Sequence, residues 1–197
     1  MKSNECKLTN SVSDLNSVFT EVEKCAVYAN LNEKEALRLR LLSEEMVDML
    51  PELLSYGSGE FWVEANGKSF ELHVSLVPEE LSSDTRERLL SVSSSGKNAA
   101  AVGILNKIRI AAEIMMLDYI EATDAAPVNF DFFSLGVSSN PSMYSTAWSL
   151  NSYRDSVKKE KSEEWDELEK SIIANLSDDV LVGIKGNHVD IIAKKQF

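Results

Sequence analysis

The chain's most constraining feature is an Asn66-Gly67 dipeptide set between two runs of alternating hydrophobicity. Before it, Phe61, Val63 and Ala65 alternate with more polar neighbours; after it, Phe70, Leu72, Val74 and Leu76 do the same. Period-two alternation is the mark of a strand with one buried face. Asn-Gly between two such runs is the signature of a type I′ turn, whose two central residues both need positive φ. A β-hairpin over 60–77 is therefore expected. His73 falls on its polar phase and reads as an exposed strand histidine.

Helical spacing surrounds this hairpin. Residues 4–12 read as a short extended entry. Leu15, Val18, Phe19, Val22, Ala26 and Ala29 then recur at three and four, which predicts an amphipathic helix over 14–30. Cys25 lies on that stripe and reads as a buried thiol. A break at Leu31-Asn32 restarts a helix over 32–55 with Leu39, Leu42, Met46, Met49, Leu50 and Leu53 as its main stripe. Further helices are expected from Pro78 to about residue 90, over 104–121, and from Lys158 to Asn175. Ser, Pro141 and Pro127 crowd residues 122–156, which predicts loop and short strand pieces rather than a packed helix. Val180, Val182 and Ile184, a Gly186-Asn187 turn, and Val189, Ile191 and Ala193 form a second hairpin.

This order predicts an α+β fold: a two-layer sandwich, with a mixed or antiparallel sheet of about four or five strands and helices on one face. The 197 residues suit a single domain.

Charge narrows the partners. The formal net charge is -12, which argues against nucleic acid, whose phosphates need clustered Lys and Arg. It also argues against an anionic membrane surface, and no apolar run approaches the ~20 residues that span a bilayer. The opening residues lack a signal-peptide core, so a cytoplasmic setting is expected. Two Cys and two His far apart in sequence give no zinc pattern. Serine abundance without a Gly-x-Ser-x-Gly elbow does not make a hydrolase.

Two places could carry chemistry. On the second helix, Glu44 and Asp48 are one turn apart and share a face, which could supply a general base and a metal ligand. That face also holds Leu37 and Leu41, nearly opposite the main stripe, so the first half of the helix reads as apolar on two sides, as an enclosed helix would be. The alternative, which spacing alone favours, is that the face turns to solvent at Glu44 and Asp48, with Glu45 as another surface acid. The other place is Ser93–Gly103, rich in small residues before a helix start, where backbone amides could cradle phosphate; the alternative, which the composition alone favours, is a flexible surface loop. It is not a P-loop, since Gly96-Lys97 is followed by Asn98.

Three pieces together resemble a known family. Val12-Ser13-Asp14-Leu15, a helix, and then the run from Leu39 through Glu44 to Asp48 resemble the start of anti-sigma-factor serine kinases. These belong to the GHKL ATPases, with the ATP-binding domains of histidine kinases. The hairpin 60–77 is similar to the strands that follow in that family, and Glu169–Val180 with its closing strands to the family's end. The resemblance implies a histidine-kinase-like ATPase fold that binds ATP with Mg²⁺. Glu44 aligns with the family's Glu and would polarise the attacking hydroxyl or water. Asp48 stands where the family has a Mg²⁺-holding Asn. Gly96, Lys97, Asn98, Gly103 and Lys107 would form a phosphate-binding lid.

The sequence also departs from the family. No Asp-x-Gly-x-Gly box follows the second strand, where the chain reads Val77-Pro78-Glu79-Glu80-Leu81, and 122–156 is an added segment. The resemblance therefore implies a degenerate ATP-binding regulatory protein or serine kinase homologue with weak nucleotide binding. The alternative is a catalytically inactive module of bacterial regulation that grips a protein partner, with the aromatic-bearing 122–156 segment as its docking element.

Overall fold

The computed structural model describes residues 1–9, 12–50, 56–78, 104, 107–108, 111–112, 115–116, 137–138, 147–160, 168–185 and 188–197. In chain order the elements are β1 (Cys6–Leu8), α1 (Val12–Tyr28), α2 (Glu33–Asp48), β2 (Tyr56–Asn66), β3 (Ser69–Pro78), β4 (Val137–Ser138), β5 (Ala147–Ser149), α3 (Leu150–Glu160), α4 (Ile172–Leu176), β6 (Asp179–Lys185) and β7 (His188–Gln196). The fold is α+β, as the element order predicts. The sheet is larger than expected, with seven strands in the order β1-β2-β3-β7-β6-β5-β4. Every neighbouring pair is antiparallel. The strands beyond the expected number, β1, β4 and β5, are two or three residues long and fall in the extended entry and in the short strand pieces expected over 122–156. They are too short to display a period that would count them into the sheet.

Register carries the core face across the sheet. Cys6, Phe61, Val74, Ile191, Val182 and Trp148 form one such row, each paired with the next. All six side chains are buried. They meet Val18, Val22 and Cys25 of α1 and Leu39, Leu42 and Met46 of α2 in one continuous cluster. Full burial of each large apolar side chain contributes about 1.5–3 kcal/mol.

The first hairpin forms, with a changed turn. Asn66 pairs with Ser69, so the two-residue loop is Gly67-Lys68 rather than Asn66-Gly67. Gly67 has φ +59°, and among described residues the one non-glycine with positive φ is Asn30. A left-handed first position alone is the φ pattern of a type II′ turn. The change moves every cross-strand partner by two residues, so no side chain changes face.

The helices begin and end where the chain supplies caps. Asn30 takes φ 52° after α1, and the Leu31 amide reaches back to the Ala26 carbonyl. Asn32 then starts α2 with a reciprocal cap. Its Oδ1 accepts from the Lys34 and Glu35 amides at 3.0 Å each, while Glu35 Oε2 accepts from the Asn32 amide at 2.9 Å. Lys68 of the hairpin turn reaches Glu35 at 2.8 Å and so ties the hairpin to the start of α2.

Two expectations for the second half change. Residues 150–156, expected to be irregular, lie in α3, whose Leu150, Tyr153 and Val157 are buried. Asp179 caps its first turn, accepting from the Ser149 hydroxyl and the Asn151 amide. The helix expected over 158–175 is represented by the end of α3, helical residues at 168–170, and α4. Ile172 is exposed, whereas Leu168 and Ile173 are buried. Of the helix expected over 104–121, the described residues are helical, with Ile104, Ile108, Ala111, Ala112, Met115 and Met116 buried. The helix expected after Pro78 and most of 122–146 lie outside the described residues.

Candidate functional site

α2 places Glu44 and Asp48 on one face, as their spacing requires, and the face turns to solvent, the reading that spacing alone favours. Leu37 is 57% exposed and Leu41 39%, so the expectation of an enclosed helix is corrected. The helix buries Leu39, Leu42, Ser43, Met46 and Val47 against the fold, with Leu37 and Leu41 on the opposite side. At the near end of α1, Val27 is 77% and Tyr28 68% exposed.

Glu44 is engaged by its own helix. Arg40 Nε donates to Glu44 Oε1 at 2.9 Å, and Arg40 Nη1 donates to Glu23 Oε1 of α1 at 2.6 Å. The same guanidinium lies 5.3 Å from the centroid of the Phe19 ring. Arg40 thus fastens the two helices through Glu44 and Glu23. Asp48, the last residue of α2, is exposed. Burial and the charges of Asp48 and Glu44 push the Glu45 carboxyl above the usual range. Three acids therefore crowd the end of this helix.

Of the expected lid, Gly96, Lys97, Asn98 and Gly103 lie outside the described residues. Lys107 is half-buried, its Nζ 5.8 Å from the centroid of the Tyr153 ring on α3. Of the aromatics in 122–156, for which docking on a partner and packing in the core were both open readings, Trp148 and Tyr153 are buried in the core. A cavity of about 500 Å³ opens at the sheet edge, between β1 and α1. It is lined by residues such as Asn4, Lys7, Asn16 and Thr20, and not by Glu44 or Asp48.

The outer face of the sheet holds a group that the sequence reading missed. Trp62 and His73 are cross-strand partners whose rings stack at 4.8 Å with an interplanar angle of 5°. Ile192 of β7 flanks His73 on the other side and is buried. The His73 side chain is only 12% exposed, so it is not the exposed strand histidine expected. Burial lowers its pKa, against the pull of Glu64, Glu71 and Asp190. Its Nε2 is buried with no hydrogen-bond partner among the described residues. The signal was available in the hairpin register: with the turn at Asn66-Gly67, Trp62 would face Glu71, whereas the observed pairing sets it opposite His73.

Further along this face, Ser75 donates to Asp190 Oδ1 at 2.6 Å and lies 3.3 Å from His188 Nδ1. The serine proton is committed to the carboxylate, and no histidine stands between them. That is not the relay a nucleophilic serine needs. Both cysteines are buried free thiols, pushed up in pKa chiefly by burial. No described helix is long and apolar enough to cross a membrane.

No family model, curated protein or solved structure matches the chain.

Proposed function

We propose that the chain is a catalytically inactive regulatory module that grips a protein partner through the outer face of α2. The observation that supports this reading is the solvent-facing stripe of Leu37, Leu41, Glu44 and Asp48 on α2; Val27 and Tyr28 of α1 are exposed as well. Exposed large apolar side chains grouped beside charges are the usual make-up of an interaction surface. Glu44, the residue that the family resemblance would make catalytic, is here fastened to Arg40 and serves the helix pair.

A second reading rests on the same helix. In a degenerate GHKL-type protein, Asp48 would hold Mg²⁺ through a hard carboxylate oxygen, and nucleotide would bind weakly beside it. The exposure of Asp48 favours this reading, and the crowding of three acids opposes a bare triphosphate.

The test is affinity capture with the full chain and with Leu37→Ser/Leu41→Ser. Both leucines are exposed, so the variant should keep its fold, with a stability change within about 0.5 kcal/mol for each site. Loss of partners from the folded variant is expected. An unchanged set of partners would refute the α2 surface.

A further inference from the structure

We propose that Glu64, Glu71 and His73, on the outer face of the β2–β3 hairpin, form a binding site for a divalent transition-metal ion of the zinc class. The ligand atoms of the three side chains all lie within 4.8 Å of one another. Three points that close lie within about 2.8 Å (4.8/√3) of a common centre, so shifts of well under 1 Å reach the ~2.0–2.2 Å of zinc–nitrogen and zinc–oxygen bonds. Rotamer adjustment of two half-exposed or exposed glutamates supplies such a shift.

Three further features converge on the same centre. His73 Nε2 is buried and makes no hydrogen bond among the described residues, though it lies 3.5 Å from Glu71 Oε2. A buried imidazole nitrogen without a hydrogen bond loses its hydration uncompensated, unless something else binds it. Glu64 and Glu71 are direct cross-strand partners, a like-charge pairing that weakens a hairpin and that a cation between them would reverse. The ligands are also held from outside. Trp62 Nε1 donates to Glu64 Oε1 at 3.1 Å, and Lys194 Nζ lies 3.2 Å from Glu71 Oε1. Each contact takes one carboxylate oxygen and leaves the other for an ion. The Trp62 ring fixes the plane of the imidazole by stacking on it. Outer contacts of this kind orient metal ligands.

The donor set selects the ion. One imidazole with two carboxylates suits zinc-like ions better than Ca²⁺ or Mg²⁺, which take oxygen donors. With no thiolate and a partly exposed rim, water would complete the coordination.

The experiment is calorimetric titration of the full chain with ZnCl₂ at neutral pH, with circular dichroism of every variant. One saturable site is expected. Glu71→Gln and His73→Gln should each weaken it by about tenfold or more. His188→Gln, the other histidine, should leave it unchanged. A second readout does not depend on those variants folding. Co²⁺, an open-shell surrogate, should quench part of the tryptophan fluorescence, and Trp62→Phe should remove that quenching while Trp148 and Trp165 continue to emit. No saturable heat, retention of binding in Glu71→Gln and His73→Gln, loss in His188→Gln, or quenching that survives Trp62→Phe would each overturn the site.

Discussion

Replacing Gly59 with alanine should destabilise the protein by about 1–2 kcal/mol. Gly59 sits in β2 between Leu8 of β1 and Leu76 of β3, in register with both. A Cβ placed there would lie 2.6 Å from Leu76 Cδ2, 3.3 Å from Leu8 Cβ and 3.3 Å from the Ser75 carbonyl oxygen. The closest contact is with a side-chain methyl, which could in principle turn away. Leu76 is fully buried, however, so turning it pushes on its own neighbours. Overpacking of this kind costs about 1–3 kcal/mol. The alanine recovers roughly 0.4–1 kcal/mol by restricting the unfolded chain. For a chain of this length, the net loss lowers Tm by about 2–8 °C.

A double-mutant cycle isolates the cause. Leu76→Ala alone should cost about 2–5 kcal/mol through the cavity it leaves. In that background the new methyl enters empty space, so Gly59→Ala should become neutral or stabilising, and the two changes should couple by roughly 1 kcal/mol or more. Urea denaturation of the four proteins, followed by circular dichroism, measures this. Additive effects within about 0.5 kcal/mol, or a stabilising Gly59→Ala in the parent, would refute the close packing of β1 on the hairpin.

Two further predictions follow from carboxylates. Glu21 of α1 accepts from the Asn4 amide at 3.1 Å and from Lys24 at 2.6 Å, and these contacts, led by Lys24, hold its pKa below the usual value. Its folded pKa is depressed, so its stabilisation is present above the unfolded value and is lost as pH falls through the folded one. Glu21→Gln should therefore cost about 1–2 kcal/mol at pH 7 and progressively less below the ordinary carboxylate range, as denaturation at several pH values would show. Glu45 is the opposite case. Burial first, then Asp48 and Glu44, raise its pKa, so its ionisation opposes folding as pH rises. Glu45→Gln should raise Tm at neutral pH and make little difference below the ordinary carboxylate range; a fall in Tm at pH 7 would contradict the assignment.

The fold was legible where a period had length to show itself. Alternation over Phe61–Ala65 and Phe70–Leu76 placed both strands of the first hairpin on their correct faces, and Val180–Ile184 with Val189–Ala193 placed the second. The turn was displaced by one residue because the same side chains face inward whether Ala65 meets Lys68 or Phe70. Hydrophobic phase cannot distinguish pairings that differ by two. That small difference hid the outer-face group, since only the observed register sets Trp62 against His73 and Glu64 against Glu71. On α2, the spacing correctly put Leu37, Leu41, Glu44 and Asp48 on one face. Sequence could not say whether another layer covers that face, because a second apolar stripe looks the same buried or exposed. Short strand pieces were expected within 122–156, but β5 could not be placed among them because three residues, Ala147–Ser149, carry no period, although Trp148 fills the core as fully as any residue of the long strands.

The central claim is that α2 presents a binding surface and not a catalytic centre. Steady-state phosphate release from Mg-ATP by the full chain tests it most directly. The account predicts release no faster than in the protein-free control. Turnover above that control, abolished by Glu44→Gln in a variant that remains folded, would contradict it and restore Glu44 to a catalytic role.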